Sequence, residues 1–228
     1  FKTQITHLNF GAINLAELRG YTSLSGDFNI KGKGSNLNNI NGDIVGDGVL
    51  FCTIDREFPI EHFELHMNQT KEGKSFILNS NVASGKLEGK FDFDGLDHSF
   101  RSILADVIPT IEKEKNFKGK ENFTIELDVH TFELVSEIFI PELYLADNSY
   151  LALQMNDETS ALKGIFQSDR VTYLDFAMDT MIVDVTRPDK ELYLSVLADR
   201  VSYGSTALES FSLDVRNESE VLFANLGW

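Results

Sequence analysis

The sequence contains one cysteine, four prolines and no apolar run of 18 residues. The lone Cys52 cannot form an internal disulfide, and its apolar neighbours predict a buried thiol. Because proline removes a backbone donor, its scarcity lets β-strands run long. No signal peptide or transmembrane helix is predicted within these residues. The chain opens at Phe1 inside an alternating strand pattern, so we expect a fragment of a longer protein whose targeting segment lies elsewhere.

Basic residues are also scarce, since 20 Lys and Arg against 36 Asp and Glu give a net charge of -16. That charge repels a phosphate backbone and argues against nucleic acid as a partner. Hydrophobic residues make up 42% of the chain and include 18 phenylalanines, enough for a sizeable core. The composition is that of a globular chain with one large or two smaller β domains.

Period-two alternation of apolar and polar residues is the strongest pattern in the chain. From Leu24 onward, Phe28 and Ile30 share one face while Asp27 and Lys31 share the other. The same alternation recurs at 85–94 and 122–130 and, more briefly, at 63–67 and 151–155. It predicts strands with one wet and one dry face, as in antiparallel sheets.

The dry faces must meet each other, as in a β-sandwich, or wrap around a groove filled by side chains or by an apolar ligand. Half of the 16 glycines lie between Gly11 and Gly48, where they favour bends in a strongly curved sheet. We predict an all-β fold with one to three short helices. Its core is an elongated, curved, mostly antiparallel sheet with an open groove, and a β-sandwich is the alternative.

Three segments have helical spacing instead. The apolar stripe from Leu96 to Ile108, which stops at Pro109, predicts an amphipathic helix suited to plugging an open end of the sheet or covering an edge. Shorter helices are predicted at 132–139 and 12–18. The charged stretch 112–121 predicts a solvated loop between a β-repeat region at 1–111 and a second one at 122–228 that continues the same sheet.

A pentapeptide recurs after 30 residues: 169–173 reads Asp-Arg-Val-Thr-Tyr and 199–203 reads Asp-Arg-Val-Ser-Tyr. Each copy leads into alternating apolar residues. A fixed period of this size in strand-type sequence predicts stacked supersecondary units. We interpret the Asp-Arg step as a charge pair between rungs of the sheet, on its wet face.

No pattern predicts catalysis. His62 and His66 have the spacing of a metal pair on a helix, but in a strand they stand about 13 Å apart at about 3.3 Å per residue. Carboxylates recur on the polar faces of the strands, and neither a nucleophile elbow nor a complete phosphate or calcium loop is present. We expect a protein that is not an enzyme, with no cofactor and no metal site.

Three segments carry a family resemblance. The segment 26–37, followed by Ile40-Asn41-Gly42, resembles the recurring unit of strand, Gly-x-Gly, Asn-Leu and hydrophobic-x-Gly in the AsmA and TamB-like proteins of diderm bacteria. Segments 161–166 and 207–213 resemble the same unit, and the richness in Asn and Phe is similar to TamB homologues from the Bacteroidota. The resemblance covers most of the chain and identifies it as an internal fragment.

The resemblance implies a curved sheet with an apolar concave face, called a β-taco. It implies a periplasmic segment of a protein anchored in the inner membrane, with roles in phospholipid transport to the outer membrane and in outer-membrane protein assembly with a TamA-type barrel. Its partners would be phospholipid acyl chains, each CH₂ contributing about 0.8 kcal/mol when removed from water. The predicted groove-lining residues are Phe28, Ile30, Phe91, Phe93, Ile125, Leu127, Leu151, Leu153, Phe211 and Leu213.

The alternative function is a non-enzymatic β-sandwich interaction module, such as an adhesin or a carbohydrate-binding domain. The same dry residues then fill a closed core. Exposed aromatic side chains that stack on sugars distinguish this alternative, and Tyr144, Tyr150 and Tyr193 are the candidates.

Overall fold

The computed structural model describes residues 2–9, 23–36, 38–53, 55–93, 95–96, 98–99, 121–139, 142–188, 191–218 and 221–228. Most of these residues lie in fourteen strands that form one sheet. The strands are β1 (Lys2–Asn9), β2 (Ser23–Lys33), β3 (Asn41–Cys52), β4 (Glu57–Gln69), β5 (Lys74–Ser80), β6 (Ala83–Lys90), β7 (Asn122–Val129), β8 (Leu143–Leu145), β9 (Ser149–Asn156), β10 (Ala161–Tyr173), β11 (Phe176–Arg187), β12 (Tyr193–Tyr203), β13 (Thr206–Glu218) and β14 (Val221–Gly227). The helix α1 (Glu133–Phe139) lies between β7 and β8.

The strand order follows the chain. It runs from β1 to β7 and then from β9 to β14, while the short β8 pairs with the far end of β10. The pairings between neighbours are antiparallel. Among the described strands, the first and last of the order each have one neighbour, so the sheet is open. The predicted all-β fold with an antiparallel sheet is confirmed, and the described strands form a single sheet rather than the two layers of a sandwich.

The predicted strands appear where alternation is cleanest, in β2, β4, β6, β7 and β9. The segment 85–94 is the exception, because β6 ends at Lys90. Beyond it, the Asp92 carbonyl accepts hydrogen bonds from the backbone N–H groups of Gly95 and Leu96, at 2.9 and 3.2 Å. The prediction of a strand through residue 94 is therefore wrong, since a helical turn begins there.

The described residues include all or part of two of the three predicted helices. Helix α1 confirms the one predicted at 132–139. Residues 93, 95–96 and 98–99 are helical, so the helix predicted from Leu96 begins slightly earlier, and its continuation to 108 lies outside the described residues. The helix predicted at 12–18 and most of the loop predicted at 112–121 also lie outside them.

Two residues depart from their predicted environments. Glu121, at the end of the predicted solvated loop, is only 7% exposed. Its carbonyl accepts a hydrogen bond from the Asp157 N–H, which holds it against the turn after β9. Cys52, at the end of β3, is half-buried rather than fully buried, since the last residue of a strand has fewer neighbours.

Candidate functional site: an apolar trough across the sheet

Side chains on one face of the sheet form apolar rows that cross the strands. Each row joins residues paired directly between neighbouring strands, so the register defines it. The first row consists of Ile30, Ile44, Leu65, Leu78, Gly85, Leu127, Leu151, Phe166, Val183, Val196, Leu213 and Leu226. Because neighbouring strands lie about 4.8 Å apart, this row is about 50 Å long, measured along the sheet.

A second apolar row runs beside the first, two residues along each strand. Its members are Met67, Phe76, Leu87, Ile125, Leu153, Gly164, Val185, Leu194, Val215 and Ala224. At Gly164 the Leu153 and Val185 side chains lean into the space, since a Cβ there would lie 2.8 and 3.1 Å from their methyl groups. The two rows make this face continuously apolar from β4 to β14.

The rows border a shallow trough over β4 to β7. Its volume is about 150 Å³, and its lining is almost entirely apolar: Leu65, Phe76, Leu78, Leu87, Ile125 and Leu127. Gly85 forms part of the floor, where a Cβ would lie 2.7 Å from the Glu126 carbonyl oxygen. A 150 Å³ cavity suits a benzene-sized ligand, so the trough takes only a short piece of a long apolar chain, and the rest must lie along the rows.

One end of the trough is closed by a phenylalanine cluster. Phe91, Phe123, Met155 and Leu162 are buried there, and Leu96 packs against them. The ring centroid of Phe91 lies 6.0 Å from Phe76, 5.4 Å from Phe93 and 6.0 Å from Phe123. Tilted and edge-on aromatic contacts of this kind add to the stability from burial.

A buried lysine fixes this closed end. The Lys74 ammonium donates hydrogen bonds to Asp92 Oδ1 at 2.9 Å and to Asn38 Oδ1 at 3.1 Å, and it lies 5.3 Å from the Phe91 ring centroid. Asn38 Oδ1 also accepts the Phe93 N–H at 2.9 Å. The turn between β2 and β3 is thereby joined to the segment that follows β6. The Lys74 side chain is 9% exposed, so its partners compensate a buried charge.

A second polar cluster lies at the same end. The fully buried Ser99 hydroxyl donates to Asp157 Oδ2 at 2.5 Å and lies 3.4 Å from Glu121 Oε2. Burial raises the pKa of the Asp157 carboxyl, and the negative charge of Glu121 raises it further, while the Ser99 hydrogen bond lowers it. The helical segment is therefore attached to the sheet through a carboxyl whose charged form is disfavoured by burial.

The other end of the apolar face is covered by α1. Leu134 packs with Phe51, Phe58 and Val82 in a second buried cluster. The guanidinium of Arg56 pairs with Glu133 at the start of α1 and lies 4.9 Å from the Phe58 ring centroid. The middle of the trough, which no described helix covers, thus lies between two helical segments.

The opposite, polar face carries the histidine pair. His66 Nδ1 lies 2.7 Å from Asp43 Oδ1, and His62 Nε2 lies 3.1 Å from Glu64 Oε1. The hydrogen bond to Asp43 raises the pKa of His66. Within the residues described, no group of three or more His, Cys, Asp or Glu side chains is arranged to hold a metal. These contacts form a charge network between β3 and β4.

Most of the predicted lining residues share the apolar face. Ile30, Leu127, Leu151 and Leu213 belong to the first row, and Ile125 and Leu153 to the second. Phe28 and Phe211 precede first-row residues by two positions and lie on the same face. Phe91 and Phe93 belong to the cluster that closes the trough, because the chain leaves the sheet after Lys90.

Sequence reasoning missed part of the lining. Phe76 and Leu78 lie on β5, a strand of seven residues whose intervening Ile77 is 41% exposed on the other face. With Ile77 on the polar face, a strand of only seven residues shows no clear alternation in its sequence. Leu65 and Leu87 lie in recognised alternating segments, and only the register shows that they border the trough.

The repeated pentapeptide forms a charge ladder. Arg170 pairs with Asp179 at 2.8 Å, and Arg200 pairs with Glu209 at 3.6 Å. Arg200 also lies opposite Asp179 in the register, so charges alternate over four neighbouring strands. Ala198 and Val201 are both buried although they are three residues apart, a spacing that strict alternation would place on opposite faces. The alternation therefore shifts by one residue at Asp199–Arg200, and the Arg200 side chain points away from the buried face. The pairing between rungs is confirmed for both arginines, but their partners are Asp179 and Glu209 rather than the aspartates of the pentapeptide.

No protein family, curated protein or solved structure matches this chain. The resemblance to AsmA and TamB-like proteins therefore rests on the sequence segments alone. Among the described residues, no helix has the length and apolar character needed to cross a bilayer.

Proposed function

We propose that the apolar face of the sheet holds the acyl chains of phospholipids. The observation that carries this proposal is the first apolar row, which continues through twelve strands without a polar residue. An ordinary core is compact and covered on all sides. A path about 50 Å long, on which the described helical segments pack only between β2 and β9, suits a long, flexible apolar ligand.

The chemistry of the face suits movement along it better than fixed binding. Each CH₂ removed from water contributes about 0.8 kcal/mol, and the rows offer similar surroundings at every strand. Among the described residues, the trough lining offers no charged side chain to a head group, because Lys86 and Glu126, which also border it, belong to the polar face. Head groups then stay in water along the open side of the face.

In this proposal the chain is a periplasmic segment of a TamB or AsmA-like protein that is anchored in the inner membrane. It takes part in phospholipid transport to the outer membrane, or in outer-membrane protein assembly with a TamA-type barrel. The open antiparallel sheet, the continuous apolar face and the three segments that resemble this family support it.

The test is phospholipid retention. The purified chain is extracted with organic solvent, and bound phospholipid is quantified by mass spectrometry. Leu127→Asp places a charge in the trough, and Ile77→Asp places the same charge on the polar face of a nearby strand. We expect near-stoichiometric lipid in the wild type and in Ile77→Asp, with at least a tenfold loss in Leu127→Asp. Far-UV circular dichroism checks that each variant is folded.

A photoactivatable acyl chain gives a measurement that does not depend on a variant. Phospholipid with a diazirine in its acyl chain is crosslinked to the wild-type protein, and the modified peptides are identified. We expect crosslinks to residues of the two rows, such as Leu65, Leu78 and Leu127. A folded wild-type chain that carries no lipid, or crosslinks confined to the polar face, would contradict the proposal.

The alternative carbohydrate-binding function has no specific support. Tyr144 and Tyr193 are 43% and 44% exposed, but Tyr144 lies on β8, which pairs with β10, and β11 separates β10 from the β12 strand of Tyr193. Sugar-stacking sites need aromatic side chains that share one surface. We therefore propose no second function.

A further inference from the structure

A polar cavity lies beside α1, at the end of the apolar face that this helix covers. Its volume is about 480 Å³, within the range of roughly 300–1,000 Å³ that is typical of small-molecule sites. Leu134 of α1 belongs to the apolar cluster with Phe58, whereas Glu133 and Glu137 of the same helix line the cavity. The cavity is therefore a polar compartment next to apolar packing.

The cavity also lies close to the first apolar row. Leu127 and Leu151 are paired members of that row. Two residues that line the cavity, Thr131 and Asp147, each lie four positions from one of them, at the same end of the two antiparallel strands. Four positions span at most about 13 Å at about 3.3 Å per residue. A phospholipid whose acyl chain lies along the row is long enough to place its head group in the cavity.

Arg56 stands at the border between the apolar cluster and the cavity. Its guanidinium lies 4.9 Å from the Phe58 ring centroid, and it pairs with Glu133 on the cavity side. A guanidinium carries five N–H donors in a planar fork and binds phosphate through two parallel hydrogen bonds. Arg56 can therefore keep its pair with Glu133 and also hold a phosphate.

The remaining carboxylates of the cavity suit a cation. Glu137 follows Glu133 by one helical turn, about 6 Å along the helix surface. Glu137 and Asp147 have no cationic partner among the described residues, and the exposed Tyr144 ring lines the same cavity. A primary ammonium donates three hydrogen bonds, which two carboxylates can accept, and a tyrosine ring attracts a cation over its face. Because three carboxylates face one arginine, a head group that carries only negative charge is repelled.

We propose that this cavity binds a phosphodiester joined to a primary ammonium, as in the head group of an ethanolamine phospholipid. Arg56 contacts the phosphate, and Glu137 and Asp147 contact the ammonium beside Tyr144. The inference rests on the acyl-chain function proposed above, because it makes the cavity the place where a lipid held on the rows is recognised. Along the rest of the face, head groups stay in water.

Three probes are titrated into the full chain by isothermal titration calorimetry: an ethanolamine lysophospholipid, a glycerol lysophospholipid with the same acyl chain, and water-soluble glycerophosphoethanolamine. The lysolipids are kept below their micelle concentrations. We expect the ethanolamine lysolipid to bind at least tenfold more tightly than either other probe. Glu137→Gln and Asp147→Asn should each reduce its preference over the glycerol lysolipid at least threefold, and the double variant should abolish it. The matched control Asp128→Asn removes an exposed carboxylate from the polar face of β7 and should keep the preference.

Each contrary result has a distinct meaning. Equal binding of the two lysolipids would overturn the head-group site and leave the acyl-chain proposal standing. A preference that survives in the double variant would place head-group recognition outside this cavity. Glycerophosphoethanolamine that binds as tightly as the ethanolamine lysolipid would assign the cavity to a soluble zwitterion and overturn the lipid assignment. If neither lysolipid binds, the acyl-chain proposal fails together with this one.

Discussion

The part of the sheet from β2 to β9 and the part from β10 to β14 differ in what covers their apolar face. Between β2 and β9, helical segments cover the apolar face and produce two buried clusters, one around Phe123 and one around Leu134. From β10 onward, hairpins repeat with a period of 30 residues and no described helix covers them. Among the described residues, 13 large hydrophobic side chains are exposed, and 11 of them lie between 173 and 228.

This difference shows that alternation does not by itself determine burial. Both parts contain strands with one apolar face, but that face becomes a core only where another segment packs on it. The repeating part is stabilised mainly by contacts between adjacent strands, as in other repeat architectures. Substitutions in the two parts test this contrast between a covered part and an uncovered part.

The largest effect is expected from removing side-chain volume in the covered part. Met155 is fully buried, so Met155→Ala should lower the free energy of unfolding by about 2–5 kcal/mol. Leu213→Ala, at a half-buried position of the uncovered part, should cost about 1 kcal/mol because less surface returns to water. Urea unfolding of both variants measures the difference. Equal losses would show that the two parts are packed equally well.

A smaller effect is expected from the carboxyl at the covered end. The raised pKa of Asp157 means that the folded state holds its proton more tightly than the unfolded state does. Its stabilising contribution is complete below the ordinary pKa of 3.8 and is lost as the pH rises through the folded-state pKa. Asp157→Asn should flatten this dependence and raise the Tm near neutral pH by about 2–4 °C.

Thermal unfolding between pH 4 and pH 8 measures the Asp157 effect. Ser99→Ala serves as the opposite variant, because the Ser99 hydrogen bond lowers the pKa of Asp157. Removing that bond should steepen the loss of stability with rising pH. If wild type and Asp157→Asn lose stability in parallel, Asp157 does not control the attachment of the helical segment.

The smallest effect is expected at a turn of the uncovered part. The equivalent hairpin turns begin with Leu174, at φ 53°, and Gly204, at φ 56°. Leucine is strained in this left-handed region by about 1–2 kcal/mol, whereas glycine is not. Because Leu174 is 69% exposed, Leu174→Gly loses little packing. The backbone entropy that glycine loses on folding offsets part of the relieved strain, so the Tm should rise by about 1–2 °C.

Gly204→Leu is the matched reverse substitution for this turn. It should lower the Tm by a similar amount, since a Cβ at Gly204 meets no atom within 4 Å and only the backbone strain remains. Differential scanning calorimetry of both variants measures the pair. Opposite shifts of similar size are expected, and a destabilised Leu174→Gly would mean that the Leu174 side chain contributes packing.

The sequence predicts the positions of the strands better than it predicts which residues line the groove. Alternation located β2, β7 and β9 because a half-buried strand needs one apolar and one polar face. It misplaced Phe91 and Phe93, because the end of β6 depends on Asp92 and on contacts from Lys74 and Asn38, which lie far away in the sequence. It missed Phe76 because β5 has an apolar residue on each face.

The sequence by itself determined which face of most strands is apolar, and the 30-residue period predicted equivalent strands near the end of the chain. The tertiary structure decided how those faces align. Two continuous rows exist only because Ile30 pairs with Ile44 and Leu127 with Leu151 in one register, and a shift of one residue would have turned each apolar set to the other face. It also decided which stretch of the apolar face is covered, since burial depends on where the helical segments pack.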